Sequence, residues 1–149
     1  MPHQLVDLYI DCVVLTSFDS EFSFLCNVFR PSGIRMHHAE TLEKADFLLT
    51  VTESTVLLTD VTFADGRWES ALALLRDSHP MVTVLVIADR VDCPFLKDLF
   101  PRGACGVLWK PFDFEAARKQ IRAVHEASKE RRALAREDSF TMEVPVSNH

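Results

Sequence analysis

The sequence predicts an α/β fold: a five-stranded parallel sheet, strand order 2-1-3-4-5, with helices on both faces. Three observations predict it. Five short runs rich in Val, Leu and Ile carry almost no charge, which suits strands buried on both faces. The segments between them repeat apolar residues at helical spacing. The connections are short, so successive strands run parallel through right-handed crossovers. A chain of 149 residues, 48 % of them apolar, is long enough for one domain with one substantial core.

The first strand is CVVLT, residues 12 to 16. In the helix that follows, Phe22, Leu25, Cys26 and Phe29 form one face, and Pro31 ends it. GIRMHHA (33 to 39) is the second strand, and Leu42, Ala45, Leu48 and Leu49 are the stripe of the second helix, starting near Thr41. TVLLTD (55 to 60) is the third strand. Trp68, Ala71, Leu72 and Leu75 mark the third helix, which stops at His79-Pro80. TVLVIA (83 to 88) is the fourth strand, and a short fourth helix is expected from Pro94 to Phe100. CGVLW (105 to 109) closes the sheet, and the fifth helix is the longest, with Phe114, Ala117, Ile121 and Val124 facing inward. Its pattern continues through SKERRALARED, after which SFTMEVPVSNH loses periodicity and reads as a disordered tail. The expected organisation is an extension at 1–10, a domain at 11–127, and a helix extension with a tail at 128–149.

Charge is unevenly placed. Residues 1–112 hold fifteen Asp and Glu against nine Lys and Arg, whereas residues 113–149 hold seven of each. An acidic body argues against a non-specific nucleic-acid binder, which works by neutralising phosphates. The basic residues of the last helix have Glu115, Glu126 and Glu130 as i, i+3 or i+4 partners, the pattern of a solvated face. Cys12, Cys26, Cys93 and Cys105 make no CxxC pair and have no histidine at zinc spacing, so they read as free thiols. No apolar run approaches the ~20 residues that span a bilayer. MPHQLVDLYI has no basic region ahead of its apolar residues, so a cytoplasmic chain without a signal peptide is expected.

An open parallel sheet puts its working residues at the carboxyl ends of its strands. There the third strand delivers Asp60 after four uncharged residues, and the fifth delivers Lys110. Lys110 stands directly before Pro111, the kind of bond in which a cis peptide is accessible. A lysine facing a carboxylate across adjacent strand ends suits an anionic group such as a phosphoryl.

These residues carry a family resemblance. VLLTDVTFADG resembles the phosphoacceptor strand and loop of the receiver domains of response regulators (CheY-like), and GVLWKPF resembles their lysine-proline strand. RGACG resembles the Gly-Ala stretch that precedes it. The likeness covers residues 11 to about 127. It implies a flavodoxin-like fold, Asp60 at the phosphoacceptor position, Lys110 at the phosphoryl-contact position, and a role in two-component (phosphorelay) signalling without an enzymatic activity of its own. A histidine kinase, a phosphotransfer protein or another signalling protein is the implied partner. Receivers of this kind also pair through their fourth and fifth helices, a surface that Trp109 would mark.

Several positions depart from the family pattern. Where the family carries paired acidic residues for Mg²⁺ after the first strand, this chain has Ser17 and Phe18, and only a one-residue slip makes Asp19 a ligand. Ala88 stands for the usual Ser or Thr, Val107 for the rotating Tyr or Phe, and Ala64 for the loop proline. The implied metal ligands are therefore Asp60, Asp19 and the carbonyl of Thr62. That is a thin set for an ion that prefers several oxygens including carboxylates. The expectation is a degenerate receiver acting as an interaction module, and Lys110 is free to pair with Asp60 instead. Phe18, Phe24 and Val28 lie off the core stripe of the first helix and imply a covered or partner-facing surface. The alternative is a flavodoxin-like enzyme or small-ligand binder using the same cleft. Against it, SFDSEF contains no glycine for a phosphate loop, and no Ser-His-Asp or Cys-His constellation is apparent. A third reading is a regulator whose output domain lies beyond the present chain.

Overall fold

Ile10–Leu15 forms the first strand, β1, two residues ahead of the expected start and inside the stretch 1–10 read as an extension. A computed structural model of the chain describes residues 9 to 89 and 106 to 147, with side chains as far as 136. In chain order there follow α1 (Asp19–Phe29), a 3₁₀ turn (Arg30–Ser32), β2 (Ile34–Ala39), α2 (Leu42–Thr52), β3 (Val56–Asp60), β4 (Thr62–Phe63), β5 (Gly66–Arg67), α3 (Trp68–Ser78), β6 (Thr83–Asp89), β7 (Gly106–Lys110) and α4 (Phe114–Ser147). The expected fourth helix, Pro94 to Phe100, lies outside the described residues, so the long C-terminal helix takes the label α4.

The main sheet runs β2-β1-β3-β6-β7, every neighbouring pair parallel. This is the expected 2-1-3-4-5 order. Alternation along the strands explains their unbroken apolar character. Val13 and Leu15 of β1, Leu57 of β3, and Val84, Val86 and Ala88 of β6 face a core closed by α2 and α3. Ile10, Cys12 and Val14, Val56 and Leu58, and Leu85 and Ile87 face a second core closed by α1 and α4, where Leu25, Phe29, Ala117 and Ile121 fill it. With both faces buried, neither set of side chains has reason to be polar. Cys12 is a core residue, and burial pushes its thiol upward into the inert range.

Local chemistry sets the boundaries. Pro31 does not stop the chain cleanly after α1; it sits in the first turn of the 3₁₀ segment, where its missing N–H costs nothing. Gly33 then takes φ 77°, a left-handed conformation that favours glycine, and its N–H reaches the Arg30 carbonyl. Thr41 caps α2 by accepting from the Lys44 N–H at 3.2 Å. Asp113 caps α4, accepting from the Ala116 N–H at 3.2 Å.

Two features differ from the sequence reading. The turn after Asp60 closes as a two-stranded hairpin, β4 with β5, whose Asp65 carboxylate accepts from the Leu42 N–H at 3.1 Å. The tail read as disordered continues α4 to Ser147. Strong helix formers from Ala127 to Arg136 carry the helix outward, because each added residue contributes one more hydrogen bond once a helix exists. At 34 residues α4 is about 50 Å long. No helix among the described residues is long and apolar enough to cross a membrane.

Candidate functional site

The carboxyl ends of β3, β6 and β7 meet the start of α1 around a cleft of about 180 Å³. It is lined by Phe18, Glu21, Asp60, Val61, Thr62, Ile87, Ala88, Asp89 and Lys110. Asp60 ends β3, 7 % exposed, and lies in register with Ile87 of β6. Lys110 ends β7, in register with Asp89, and its peptide bond to Pro111 is cis.

Asp60 and Lys110, picked out by the sequence, thus share one cleft, but the expected pairing between them is replaced. Lys110 Nζ lies 2.6 Å from Oε1 of Glu21. The other oxygen of Glu21 accepts from the Thr16 hydroxyl at 3.2 Å, and that hydroxyl lies 2.5 Å from Asp60 Oδ2. The Phe18 N–H donates to the same Thr16 oxygen at 3.2 Å, fixing the turn into α1. A chain of polar groups therefore runs Asp60–Thr16–Glu21–Lys110 along the cleft wall.

Burial pushes the Asp60 carboxyl up to about 6. The Thr16 hydrogen bond opposes this, the Glu21 charge reinforces it, and Lys110 opposes it again. For Lys110, burial alone favours the neutral amine, but the Glu21 contact together with the charges of Glu21, Asp60 and Asp89 overcomes it and raises the pKa.

Ser17 and Phe18, aligned by the resemblance with the acidic pair, carry no acid, but the cleft is not short of carboxylates. Glu21 and Asp89 supply two that the motif comparison missed. A signal for Glu21 was present: it stands one helical turn before buried Leu25, at the head of the inward stripe and at the carboxyl edge of the sheet. Thr16 likewise follows the last residue of β1 and is fully buried.

Asp19 does not join the residues that line the cleft. It is 83 % exposed and turns toward His38, whose Nδ1 lies 3.5 Å away. His38 stacks on Phe22 and uses Nε2 to meet the Thr16 carbonyl at 2.9 Å. Asp19, His38 and Glu40 bring one ligand atom each within 4.8 Å of one another at the rim. Asp19 heads α1, where a carboxylate favours the positive end of the helix, and the slip that would aim it at Asp60 does not occur.

In the cleft as arranged, few carboxylate oxygens are left open to a divalent cation. The oxygens of Glu21 are engaged by Lys110 and Thr16, and one oxygen of Asp60 by Thr16. Magnesium demands near-octahedral geometry from several free oxygens. Of the two residues that the resemblance aligns with a switch, Ala88 is buried and lines the cleft without a hydroxyl, and Val107 is buried in the core beneath α2 and α3. Trp109 is half-buried and packs against that same core.

The off-stripe aromatic residues divide. Phe18 is 62 % and Phe24 48 % exposed, whereas Val28 packs partly into the α1–α4 core. Phe18, Phe24, Phe112 and Phe114 line an apolar cavity of about 650 Å³ that adjoins Lys110 and Glu21.

No family model matches the chain, and no curated protein matches it. Solved structures do. The signal receiver domain of an HD domain-containing protein from Pseudomonas fluorescens Pf-5 superposes with TM-score 0.75 at 17 % identity, over 85 % of this chain and 93 % of that one. A response regulator receiver domain protein from Clostridium thermocellum gives TM-score 0.72 at 15 % identity, over 80 % and 97 %. A response regulator receiver protein from Pseudomonas putida gives 0.68 at 17 %, over 77 % and 97 %. The chain has the fold of response-regulator receiver domains, which is the flavodoxin-like, CheY-like architecture the strand order indicates.

Proposed function

We propose that this chain is an atypical receiver module of a two-component phosphorelay, not an enzyme, working in the cytoplasm by binding other signalling proteins. Asp60 occupies the phosphoacceptor position and Lys110 the phosphoryl-contact position, with Ala88 and Val107 as the degenerate switch positions. The observation that carries the reading is the pair of strand ends: a nearly buried aspartate ending the central strand and a lysine ending the edge strand line one cleft. The receiver-like unit spans residues 11–127, extended by α4.

In a working receiver, a carboxylate oxygen attacks the phosphorus of a phosphohistidine or acyl phosphate. The new O–P bond forms as the bond to the donor breaks, and the histidine nitrogen or the acetate leaves with the electron pair. Developing negative charge needs cations at the phosphoryl oxygens. Here Lys110 is engaged by Glu21, and Asp19 is turned to the rim. The module therefore binds its histidine kinase, phosphotransfer protein or other signalling partner without efficient phosphorylation. Self-pairing through the last helix and the segment before β7 belongs to the same reading.

Incubation with acetyl phosphate and Mg²⁺, followed by intact-mass spectrometry, tests it. Little or no acyl phosphate on Asp60 is expected. Stoichiometric, hydroxylamine-labile labelling at Asp60 would overturn the depleted-site reading.

The apolar cavity beside Lys110 favours a second reading, a small-ligand binder, because four phenylalanines suit a planar aromatic ligand. Absorbance of the purified protein and a thermal-shift screen of aromatic acids separate the two.

A further inference from the structure

We propose that Glu21 is a built-in anion that takes the place of a phosphoryl group against Lys110, so that the lysine–anion contact of this cleft is made permanently by the chain itself. This rests on the receiver reading and names how its site is regulated. Three observations support it. Glu21 reaches the cleft from α1, not from a strand end, and its carboxylate sits between the two groups that an anion on Asp60 would touch. One oxygen meets the Lys110 ammonium at 2.6 Å, and the other meets the Thr16 hydroxyl at 3.2 Å, which in turn touches Asp60. The Glu21 side chain is mostly buried, at 12 % exposure, while Lys110 is one-third exposed, so the contact is only partly screened by water and salt. Its backbone position is fixed by packing, because Leu25 and Phe29 on the same stripe are fully buried.

Charge explains why the arrangement persists. Asp60, Glu21 and Asp89 surround a single ammonium. A second external anion entering the cleft would meet three carboxylates and a lysine already engaged, so the site rejects phosphate while Glu21 is present. Removing Glu21 releases Lys110 for an outside anion, while the Thr16 hydroxyl stays on Asp60.

The test is anion exchange in the cleft, using inorganic phosphate as the probe. Asp60→Asn serves as the background because it removes the neighbouring carboxylate and leaves Glu21 in place. Phosphate titrated by calorimetry or by amide chemical shifts should bind Asp60→Asn/Glu21→Ala at least about tenfold more tightly than Asp60→Asn alone. Adding Lys110→Met should abolish the gain. In the single variant Glu21→Gln, the Asp60 carboxyl, followed by carbon NMR, should titrate at lower pH than in the parent chain. A role of Glu21 confined to packing predicts neither change. Folded variants, checked by circular dichroism, that gain no phosphate affinity and leave the Asp60 titration unmoved overturn the inference and leave the receiver reading standing. Stoichiometric acetyl phosphate labelling of Asp60 in the parent chain overturns the inference and the depleted-site reading together, and leaves the receiver reading standing. A phosphate gain alongside failure of Asp60→Asn to alter any partner contact supports the built-in anion while removing Asp60 from the signalling role.

Discussion

The Thr55 hydroxyl lies 2.6 Å from Nδ1 of His125, joining the residue ahead of β3 to the middle of α4. The imidazole is buried, and burial holds its pKa below the ordinary histidine value. Glu126 opposes that shift, while Lys129, Arg122 and Arg132 deepen it. The lowered pKa means that the unfolded chain takes up a proton near pH 6.5 that the folded chain refuses. The His125 contribution is therefore intact above that pH and lost as pH falls through the unfolded value toward the folded one. His125→Asn keeps a polar atom near Thr55 and removes the proton uptake. Urea unfolding at pH 7 and pH 5.5 should show a smaller acid-induced loss for the variant than for the parent, and an equal loss would contradict the assignment.

Asp60 makes the opposite prediction. Its folded pKa, about 6, stands above the unfolded value, so the folded chain binds the extra proton. Stability from this group is fully present below about pH 4 and is lost as pH rises through 6. At pH 8 the ionised Asp60 is a net cost of about 3 kcal/mol, so Asp60→Asn should be more stable than the parent by about that amount. The gain should shrink toward zero as the pH is lowered to about 4. Denaturant midpoints compared at pH 8, 6 and 4.5 check both the sign and the convergence.

How much of this was legible in the sequence depends on which force fixed each feature. The five strands were legible because burial on both faces leaves a continuous apolar signature, and Asp60 and Lys110 were legible because charge at the end of such a run has few structural uses. Glu21 was passed over because the motif comparison looked for acid in the loop, whereas the carboxylate arrives from the first turn of α1. Thr16 was read only as the end of a strand, since nothing in a hydroxyl's sequence context says which carboxylate it will meet. The extent of α4 was not legible for a different reason: periodicity reports a packed face, and SFTMEVPVSNH carries none.

The Glu21–Lys110 contact should be measurable as a coupling energy. Lys110→Met leaves a mostly buried carboxylate without its cation, while Glu21→Gln leaves the lysine with a neutral partner. The single variant Lys110→Met should cost about 1–2 kcal/mol, between the values for exposed and buried pairs. Because Lys110 is one-third exposed, the pair is screened, and the upper end for buried pairs does not apply. The double variant Glu21→Gln/Lys110→Met should recover part of that loss, and a double-mutant cycle in low salt should give a coupling that shrinks in high salt. Strictly additive costs would mean that the contact seen in the structure carries no energy.

The clamp at the amino-terminal edge of the sheet makes a local prediction rather than a global one. Arg132 donates to the carbonyls of Glu53 and Ser54, which are left over at the end of α2, and Arg131 donates to the Met81 carbonyl and the Thr83 hydroxyl. Ser128 also donates to the Met81 carbonyl. These contacts hold α4 against the domain at the point where it begins to leave it. Glu53 closes α2 in a left-handed conformation, φ 53°, so its carbonyl has a fixed direction that a guanidinium can meet. Arg132→Ala removes two hydrogen bonds to backbone carbonyls at a partly exposed site, a loss of about 1 kcal/mol. Exchange of the amides from 128 to 136 and at the end of α2 should speed up about fivefold, while those of β1 and β3 stay protected. Uniform acceleration across β1, β3 and α4 would mean that the helix end and the sheet open together, and that the clamp belongs to the global core.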